Sequence, residues 1–600
     1  MKQLAKILTD CLWTAPFLLI FSTVFVVSND LANGVVSGKY FWFYGSMGLA
    51  SVAIFIFSFI NNKKSFRFSF SDLFVVLFGG SVYFSAYIFS DASQNTTKLT
   101  LFALLIALYF CFRLTINKLP KIQNICCIFI IFTGLIEAFW GLQQLYGFAP
   151  SQHNLFKLTG SFFNPGPYAG YLAAILPMSL YCLLSPSRLL SNTLRLLPMF
   201  LKCFGGITCF AILLVLPAAM SRAAWLATIA GCSVVIYKKY EKQLQIKQYY
   251  KKYKKHVLLI ICLISLTFLL SLTALYHLKK DSADGRLLTW KISLQTVVKY
   301  PFGAGLGNFS GVYGDMQAAY FASGKASETE KHVAGNPEYG FDEYLQILIE
   351  SGIVSFLLFA VIIVLAVRLL LRNNAGMAGS LIALLVFACF SYPFSVLPFP
   401  VIFVFFLASG NSAEQQKTGS RFASIITTCL CLLVSGVCLY REYPVYRAYE
   451  RWNREKIYYG AGLNMEAAEA YGELYPYLDD RIQFLFEYAQ SLSKSDQPEK
   501  SIKILQRAIQ ISCDPMLYNI MGRNFQSMQQ YDSAEAAFIH SANLVPNRLY
   551  PWYLMMKLHA ETGNAEKAVE AAKIVLTMEP KVQSQAVREM REEARKLVEN

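Results

Sequence analysis

The chain has 600 residues, 55% hydrophobic and 15% aromatic, but only 15% charged. Soluble proteins carry roughly a quarter charged residues, so a wholly soluble chain is excluded, and several membrane spans plus a smaller soluble part are expected. The formal net charge is +16, yet the basic residues sit in short blocks between apolar runs. That pattern orients membrane helices and is not a nucleic-acid-binding face.

Apolar runs long enough to cross or nearly cross a bilayer lie near 12–28, 40–60, 72–90, 98–116, 122–146, 167–184, 197–217, 222–237, 256–277, 350–371, 378–394, 396–410 and 423–440. The first follows a weakly basic lead without a small-residue cleavage site, and reads as a retained span. The link Ser391-Tyr-Pro-Phe-Ser-Val-Leu-Pro-Phe-Pro400 is compatible with a tight hairpin or a re-entrant segment. Lys63, Lys64 and Arg67 follow the second run, and Arg113, Lys118 and Lys121 follow the fourth. Arg188 and Arg195 follow the sixth, and Lys238 to Lys255 is the most basic stretch. Arg368 and Arg372 come at the tenth, and Lys417 and Arg421 after the twelfth. Every basic loop therefore follows an even-numbered span, which predicts a cytoplasmic N-terminus and a tail outside the cytoplasm. The loop 147–166, the turn at Arg222 and the long loop 278–349 fall on the tail's side. Within that loop Leu287, Trp290, Leu294 and Val297 have helical spacing, predicting an amphipathic helix at the membrane interface.

Of the fourteen cysteines only Cys513 lies in the soluble tail, so the tail closes no internal disulfide. The six histidines are scattered, and no zinc spacing or other metal site is indicated. From about residue 442 the composition shifts to charged helix formers. Segments 482–514, 515–548 and 549–582 align at the tetratricopeptide period. Gln497, Gln530 and Asn564 match at the inter-helix turn, Ser501, Ala534 and Ala568 at the close-packing position, and Leu505, Phe538 and Ala572 after it. Pro546 and Pro580 end the last two repeats, and Leu463 to Tyr475 reads as the second helix of a degenerate first repeat. Stacked helix pairs of this kind either bind extended partners or support the membrane part.

Chemistry is sought on the tail's side of the membrane. Arg222 opens the eighth span, and Arg286 lies in the long loop. Arginine's planar fork suits phosphate oxygens and keeps its charge, whereas the plain alternatives are a snorkelling residue and a solvated loop residue. Thr159 to Gly170 makes a defined turn around Asn164-Pro165. The glycine-spaced run Gly303-Ala-Gly-Leu-Gly-Asn-Phe309 has no preceding strand and no Gly-Lys-Ser/Thr, which excludes a nucleotide loop. Asp342, Glu343 and Glu350 are carboxylates near the bilayer surface, with helix capping the plain alternative for Asp342.

In order, these pieces resemble the O-antigen ligase/polymerase family of membrane glycosyltransferases. The resemblance covers roughly residues 120–410. It rests on Gly160-Ser-Phe-Phe-Asn-Pro165, Ser221-Arg-Ala-Ala-Trp225, Gly285-Arg286 with Trp290, Tyr300-Pro-Phe-Gly-Ala-Gly-Leu-Gly-Asn-Phe309 and Glu343-Tyr-Leu-Gln-Ile-Leu-Ile-Glu-Ser-Gly352. A trailing tetratricopeptide domain is similar to a common arrangement in that family. The resemblance implies an all-α architecture: a GT-C-like bundle of about 12–13 spans over 1–440, then a periplasmic tetratricopeptide solenoid over 441–600. It implies metal-independent, inverting transfer from an undecaprenyl-diphosphate-linked glycan to a glycan, lipid or protein acceptor at the bacterial inner membrane, with no cofactor. Arg222 and Arg286 would bind the diphosphate. Asn164, Trp290, Tyr344 and Gln346 are the matching candidates for substrate binding. Where ligases read His-Asn, this chain has Phe341-Asp342. Phenylalanine takes no proton, so Asp342 or Glu343 is the expected base, with His332 a weaker alternative. A transporter or flippase and a non-catalytic scaffold acting through the repeats are the rival readings. Removing 445–600 is expected to leave an enzyme some turnover and a scaffold none.

Overall fold

The computed structural model describes residues 13–60, 66, 68–90, 95–186, 197–241, 280–411, 420–579 and 583–599. The run 256–277, most of the basic stretch ending at Lys255, and Pro580 lie outside these residues.

Among the described residues every regular element is helical. The chain proceeds through α1 (Trp13–Phe25), α2 (Gly34–Ile60), α3 (Phe70–Phe84, continued by a π turn over Ser85–Phe89), α4 (Thr96–Lys118) and α5 (Lys121–Leu145). It continues with α6 (Pro165–Leu184), α7 (Leu197–Val215) and α8 (Arg222–Tyr240). Then come α9 (Lys280–Lys299), α10 (Phe309–Ala322), α11 (Glu328–Val333), α12 (Glu343–Asn373), α13 (Ala375–Ala388), α14 (Pro398–Asn411) and α15 (Arg421–Gly460). Eight of these helices are long and apolar enough to span a membrane. The chain is a multi-pass membrane protein. The shorter α13 and α14 each have 14 residues, about 21 Å of helix. Nearly all their residues are buried in the bundle, so protein and not lipid surrounds their ends. The link between them is a tight hairpin with a 3₁₀ turn at Pro393–Ser395.

The connections sort onto two faces. On one, Phe66 pairs with Ser420, Lys118 donates to Ser58 Oγ (3.0 Å), and Lys239 donates to the carbonyl of Leu184 (2.6 Å). A buried Asp72–Arg113 ion pair (2.8 Å), with Tyr109 on Asp72 and Asn411 on Tyr109, ties α3, α4 and α14 near this face. On the other face, Ala32 bonds Tyr449, Lys39 meets Ser161, Ser90 meets Ala304, and Thr97 meets Asp480. The connections after the even-numbered spans described thus lie on the first face, and the turns after the odd ones gather on the second.

Two glycines determine how the second face is built. Gly352 interrupts α12 with φ +78°, and a Cβ there would stand 2.4 Å from the backbone of Phe302. Gly303, at φ +99°, likewise faces the backbone of Glu350 and Ser351. The chain closes this seam with Ala304 N–H to Ile349 O (2.8 Å), Gly305 N–H to Glu350 O (3.0 Å) and Ile353 N–H to Pro301 O (3.0 Å). The glycine-spaced run is therefore a backbone docking strip, since only glycine adopts this conformation without strain.

The helix α15 continues through 440/441 without a break and pairs with α16 (Asn464–Leu478). Three pairs follow: α17 (Ile482–Lys494) with α18 (Pro498–Ile511), α19 (Pro515–Ser527) with α20 (Tyr531–Leu544), and α21 (Tyr550–Glu561) with α22 (Ala565–Thr577). α23 (Gln585–Glu599) closes the stack. Gln497, Gln530 and Asn564 each precede a second helix, and Ser501, Ala534, Ala568, Leu505, Phe538 and Ala572 are all buried. The 34-residue pattern thus places small residues where the helices of a pair cross.

Candidate active site

Arg222 is positioned by the packing of α8 on α13. These helices approach through Gly231 and Gly379, where a Cβ on either would lie within 2.6 Å of the other's carbonyl oxygen. Small residues allow such close backbone contact between membrane helices. The start of α8 is thereby fixed beside the end of α13 and the hairpin after it. Met220 makes the turn at φ +48°, the hydroxyl of Ser221 accepts from Ala224 N–H (3.4 Å), and Arg222 is the first helical residue. A helix start favours anions because its first N–H groups are unpaired within the helix.

Arg286 reaches the same place from α9. This helix buries Leu288, Ile292 and Thr296 and leaves Leu287, Leu294 and Val298 exposed as an apolar edge. The Arg286 guanidinium lies 5.2 Å from the centre of the Phe341 ring. Burial lowers its pKa, the Arg222 charge lowers it further, and Tyr392 opposes the shift. Among the described residues no carboxylate lies within ion-pair distance of Arg286. The two guanidinium groups are near enough for the Arg222 charge to act on Arg286, and aromatic rings line the Arg286 side.

The rings come from the hairpin and from the segment before α12. Tyr339 stacks on Tyr392 at 4.4 Å, and Phe341 meets Tyr392 edge-on at 5.6 Å. Phe341 holds φ +50°, a strained conformation for a bulky residue. One turn beyond Arg286, Trp290 packs 6.3 Å from Phe390, and its sealed indole N–H has no acceptor among the described residues. Burial, followed by the charge of Glu338, pushes the Tyr392 hydroxyl up to about 12, with Arg286 opposing.

The two expected bases are engaged elsewhere. Asp342 is the N-cap of α12, and its Oδ1 accepts from the backbone N–H groups of Tyr344 (2.9 Å) and Leu345 (3.0 Å). Capping, the plain alternative, is the geometry found. Glu343 is buried and its Oε1 accepts from Phe394 N–H at 2.6 Å. It belongs, with Gln346 and Glu350, to the polar end of an apolar cavity of about 200 Å³ between α3, α4, α12 and α14. Gln346 bonds Glu350 (3.1 Å) and Gly340 N–H (3.2 Å), while Tyr344 donates to the carbonyl of Leu385 (3.0 Å) and ties α12 to α13. Asn164 caps α6 through Gly166 N–H (2.9 Å). Its motif neighbour Ser161 joins a separate buried group, accepting from Lys39 (3.4 Å) and donating N–H to Glu137 (3.1 Å). His332 is exposed, and its carbonyl accepts from Asn547 (2.9 Å). Arg222, Arg286 and Trp290 therefore share one site; Glu343 and Gln346 face another cavity, and Asn164, Tyr344 and Asp342 hold backbone.

The repeats grip the segment that carries this site. Gln317 Nε2 donates to Gly335 O (2.7 Å) and Leu544 O (2.6 Å). Ser310 Oγ donates to Pro337 O (3.0 Å) and meets Cys513 Sγ (3.2 Å). Asn547 Nδ2 donates to the carbonyls of Lys331, His332 and Ala334 (3.1, 2.9 and 2.8 Å). Residues missed by sequence reasoning are Tyr339, Tyr392 and the tail contacts. Tyr392 stands in the proline-rich link Ser391–Pro400, but its meeting with Tyr339 depends on the hairpin, which spacing alone does not reveal.

Two guanidinium groups and a helix start are the kinds of group that suit a phosphate-type anion. Among the described residues no cluster of histidine, cysteine or carboxylate could hold a metal ion. The fold defines a multi-pass helical membrane protein with two arginines at the mouth of its bundle and a helical-repeat tail. Residues 207–360, which include both arginines, match the family model described as O-Antigen ligase. That match supports membrane glycan transfer as the class of function. A search of curated proteins found no match. Among solved structures the chain is similar to the APC/C hetero-tetramer Cut9–Hcn1, at 12% identity over 71% of this chain and 90% of that one. The TM-score is 0.22, too low to carry an argument, and the repeat assignment rests on the helix pairs described above.

Proposed function

We propose that the chain transfers a glycan from an undecaprenyl-diphosphate donor to an acceptor on the non-cytoplasmic face of the bacterial inner membrane. The observation that carries this reading is the Arg222–Arg286 pair, held together without a carboxylate on Arg286. A diphosphate supplies the missing negative charge and acquires more as the glycosyl bond breaks. Fixed guanidinium groups stabilise that developing charge. The exposed edge of α9, with Leu287, Leu294 and Val298, suits a helix lying against the bilayer where a lipid-linked donor arrives. The even-loop basic residues support a cytoplasmic assignment for the opposite face, and with it a periplasmic site and periplasmic repeats.

The test compares lipopolysaccharide, secreted polysaccharide and glycoproteins in cells with and without the chain. Accumulated lipid-linked glycan together with loss of one product supports transfer and identifies the acceptor. Unchanged pools contradict it.

A further inference from the structure

We propose that a cavity between α2 and α15 holds the ammonium headgroup of an ethanolamine-type membrane lipid. The site shares no residue with the arginine pair. A cavity of about 380 Å³ lies between the connector after α1, the first turns of α2 and the part of α15 around Glu442. Five aromatic residues line it, Phe41, Trp42, Tyr44, Tyr443 and Tyr446, and among the described lining residues only Glu442 carries a charge. Contacts fix the rings: Phe41 meets Tyr446 edge-on at 5.2 Å and Tyr44 at 6.0 Å. The Trp42 indole N–H reaches Leu19 O (2.9 Å) and Ser22 Oγ (3.1 Å).

Two polar groups on this lining lack partners. Glu442 is 4% exposed and Tyr44 is 2% exposed, and among the described residues neither Glu442 Oε2 nor the Tyr44 hydroxyl has a hydrogen-bond partner. The Arg481 charge acts on Glu442, but that guanidinium is paired with Asp480 (3.1 Å), so it faces two carboxylates. Among the described residues no basic group lies within ion-pair distance of Glu442. A buried carboxylate short of partners is costly, and a cation brought from outside offsets that cost. Aromatic faces attract a cation further, so the lining favours an ammonium over a neutral or anionic group. The level of the cavity points to a lipid as its source. Leu439, on the lining, ends the apolar stretch of α15, and Arg441 and Glu442 begin the charged one. Trp42, Tyr440 and Tyr443 are exposed there, and exposed tryptophan and tyrosine at the end of a span mark the headgroup level. Leu49, Leu433 and Val437 of the same two helices are also exposed, as residues facing acyl chains are. An ammonium seated here would bridge α2 and α15 where the repeats leave the membrane.

The test reconstitutes the full chain in bilayer discs holding equal amounts of phosphatidylethanolamine and phosphatidylglycerol. The chain is then extracted in detergent, and the lipids it retains are counted by native mass spectrometry. The wild type is expected to retain the ethanolamine lipid over the glycerol lipid by about tenfold, the scale of one desolvated cation–aromatic contact. Glu442→Gln is expected to lose that preference. Gly45→Leu is expected to lose it by a different route: Gly45 lines the cavity, and a Cβ there meets no atom within 4 Å, so the added side chain takes up space without a clash. Thermal unfolding is read for both variants, and Gly45→Leu decides the matter if Glu442→Gln does not fold. Equal retention of the two lipids by the wild type overturns the proposal, as does a wild-type preference in either folded variant. Binding of free ethanolamine to the detergent-extracted chain, with no preference between the lipids, overturns the lipid as the ligand.

Discussion

At the scale of single residues, position and occupation separate the carboxylates more clearly than charge does. Asp342 is pushed up by burial, with the N–H groups of Leu345 and Tyr344 pulling the other way. Both helix N–H groups bond the one oxygen Oδ1, so the side chain is held at the helix start by capping. Asp342→Asn keeps a capping oxygen, and transfer is expected to persist; Asp342→Ala should cost about 1 kcal/mol of stability. Transfer and thermal unfolding of the two variants check this, and an inactive but stably folded Asp342→Asn would restore Asp342 as a candidate base. Both arginines were legible in sequence because they stand in short motifs and keep their charge anywhere. Their meeting point was not, because it depends on Gly231 and Gly379 bringing α8 against α13 and on a hairpin turning Tyr392 towards them.

At the scale of elements, the segment 280–340 is a braced unit. Glu330 anchors it: partial burial pushes its carboxyl up, but bonds from Lys291, Ser327 and Tyr320 prevail and hold it at about 2, against an ordinary 4.5. A carboxyl with a depressed folded pKa stabilises above its unfolded value, and that contribution is lost as pH falls through the folded value. Amide exchange across α9–α11 is therefore expected to quicken as pH drops from about 4.5 towards about 2 beyond its intrinsic pH dependence, and Glu330→Gln should flatten that change. An unaltered pH profile in Glu330→Gln would contradict it. The amphipathic helix was visible in the spacing of Leu287, Trp290, Leu294 and Val297. Which side of it is buried was not, because Leu288, Ile292 and Thr296 pack on α10 and α11, partners that no periodicity names. The glycine run around Gly303 was legible as something other than a nucleotide loop, while its role against Gly352 needed both strips side by side.

At the scale of the whole molecule, the repeats and the site are mechanically joined. Cutting away 445–600 removes the partners of Gln317, Ser310 and the 331–334 carbonyls. An enzyme of this build is expected to lose turnover with its repeats, so that truncation does not separate enzyme from scaffold as the sequence alone suggested. Asn547→Ala is the sharper probe. It removes two N–H groups shared among three carbonyls, each hydrogen bond worth about 1 kcal/mol net, and should loosen 328–340 and slow transfer while the repeats stay folded. Exchange confined to that segment, read beside the unfolding of the repeats, checks it; unchanged protection there would contradict it. The repeats themselves were readable because a helical pair needs small residues where its members cross, and Ser501, Ala534 and Ala568 recur at that period. Their grip on the loop was not, since Asn547 and Gln317 are single polar residues that reach backbone atoms far away in sequence.

The central claim is that Arg222 and Arg286 together hold the diphosphate of a lipid-linked glycan. Its most direct test is the lipid-linked glycan pool and transfer rate in cells carrying Arg222→Ala or Arg286→Ala, with membrane insertion verified for each. The account predicts accumulated donor and lost transfer in both, by at least about 100-fold, the scale on which removing one such charge-stabilising group acts. Normal transfer with either arginine gone would contradict it.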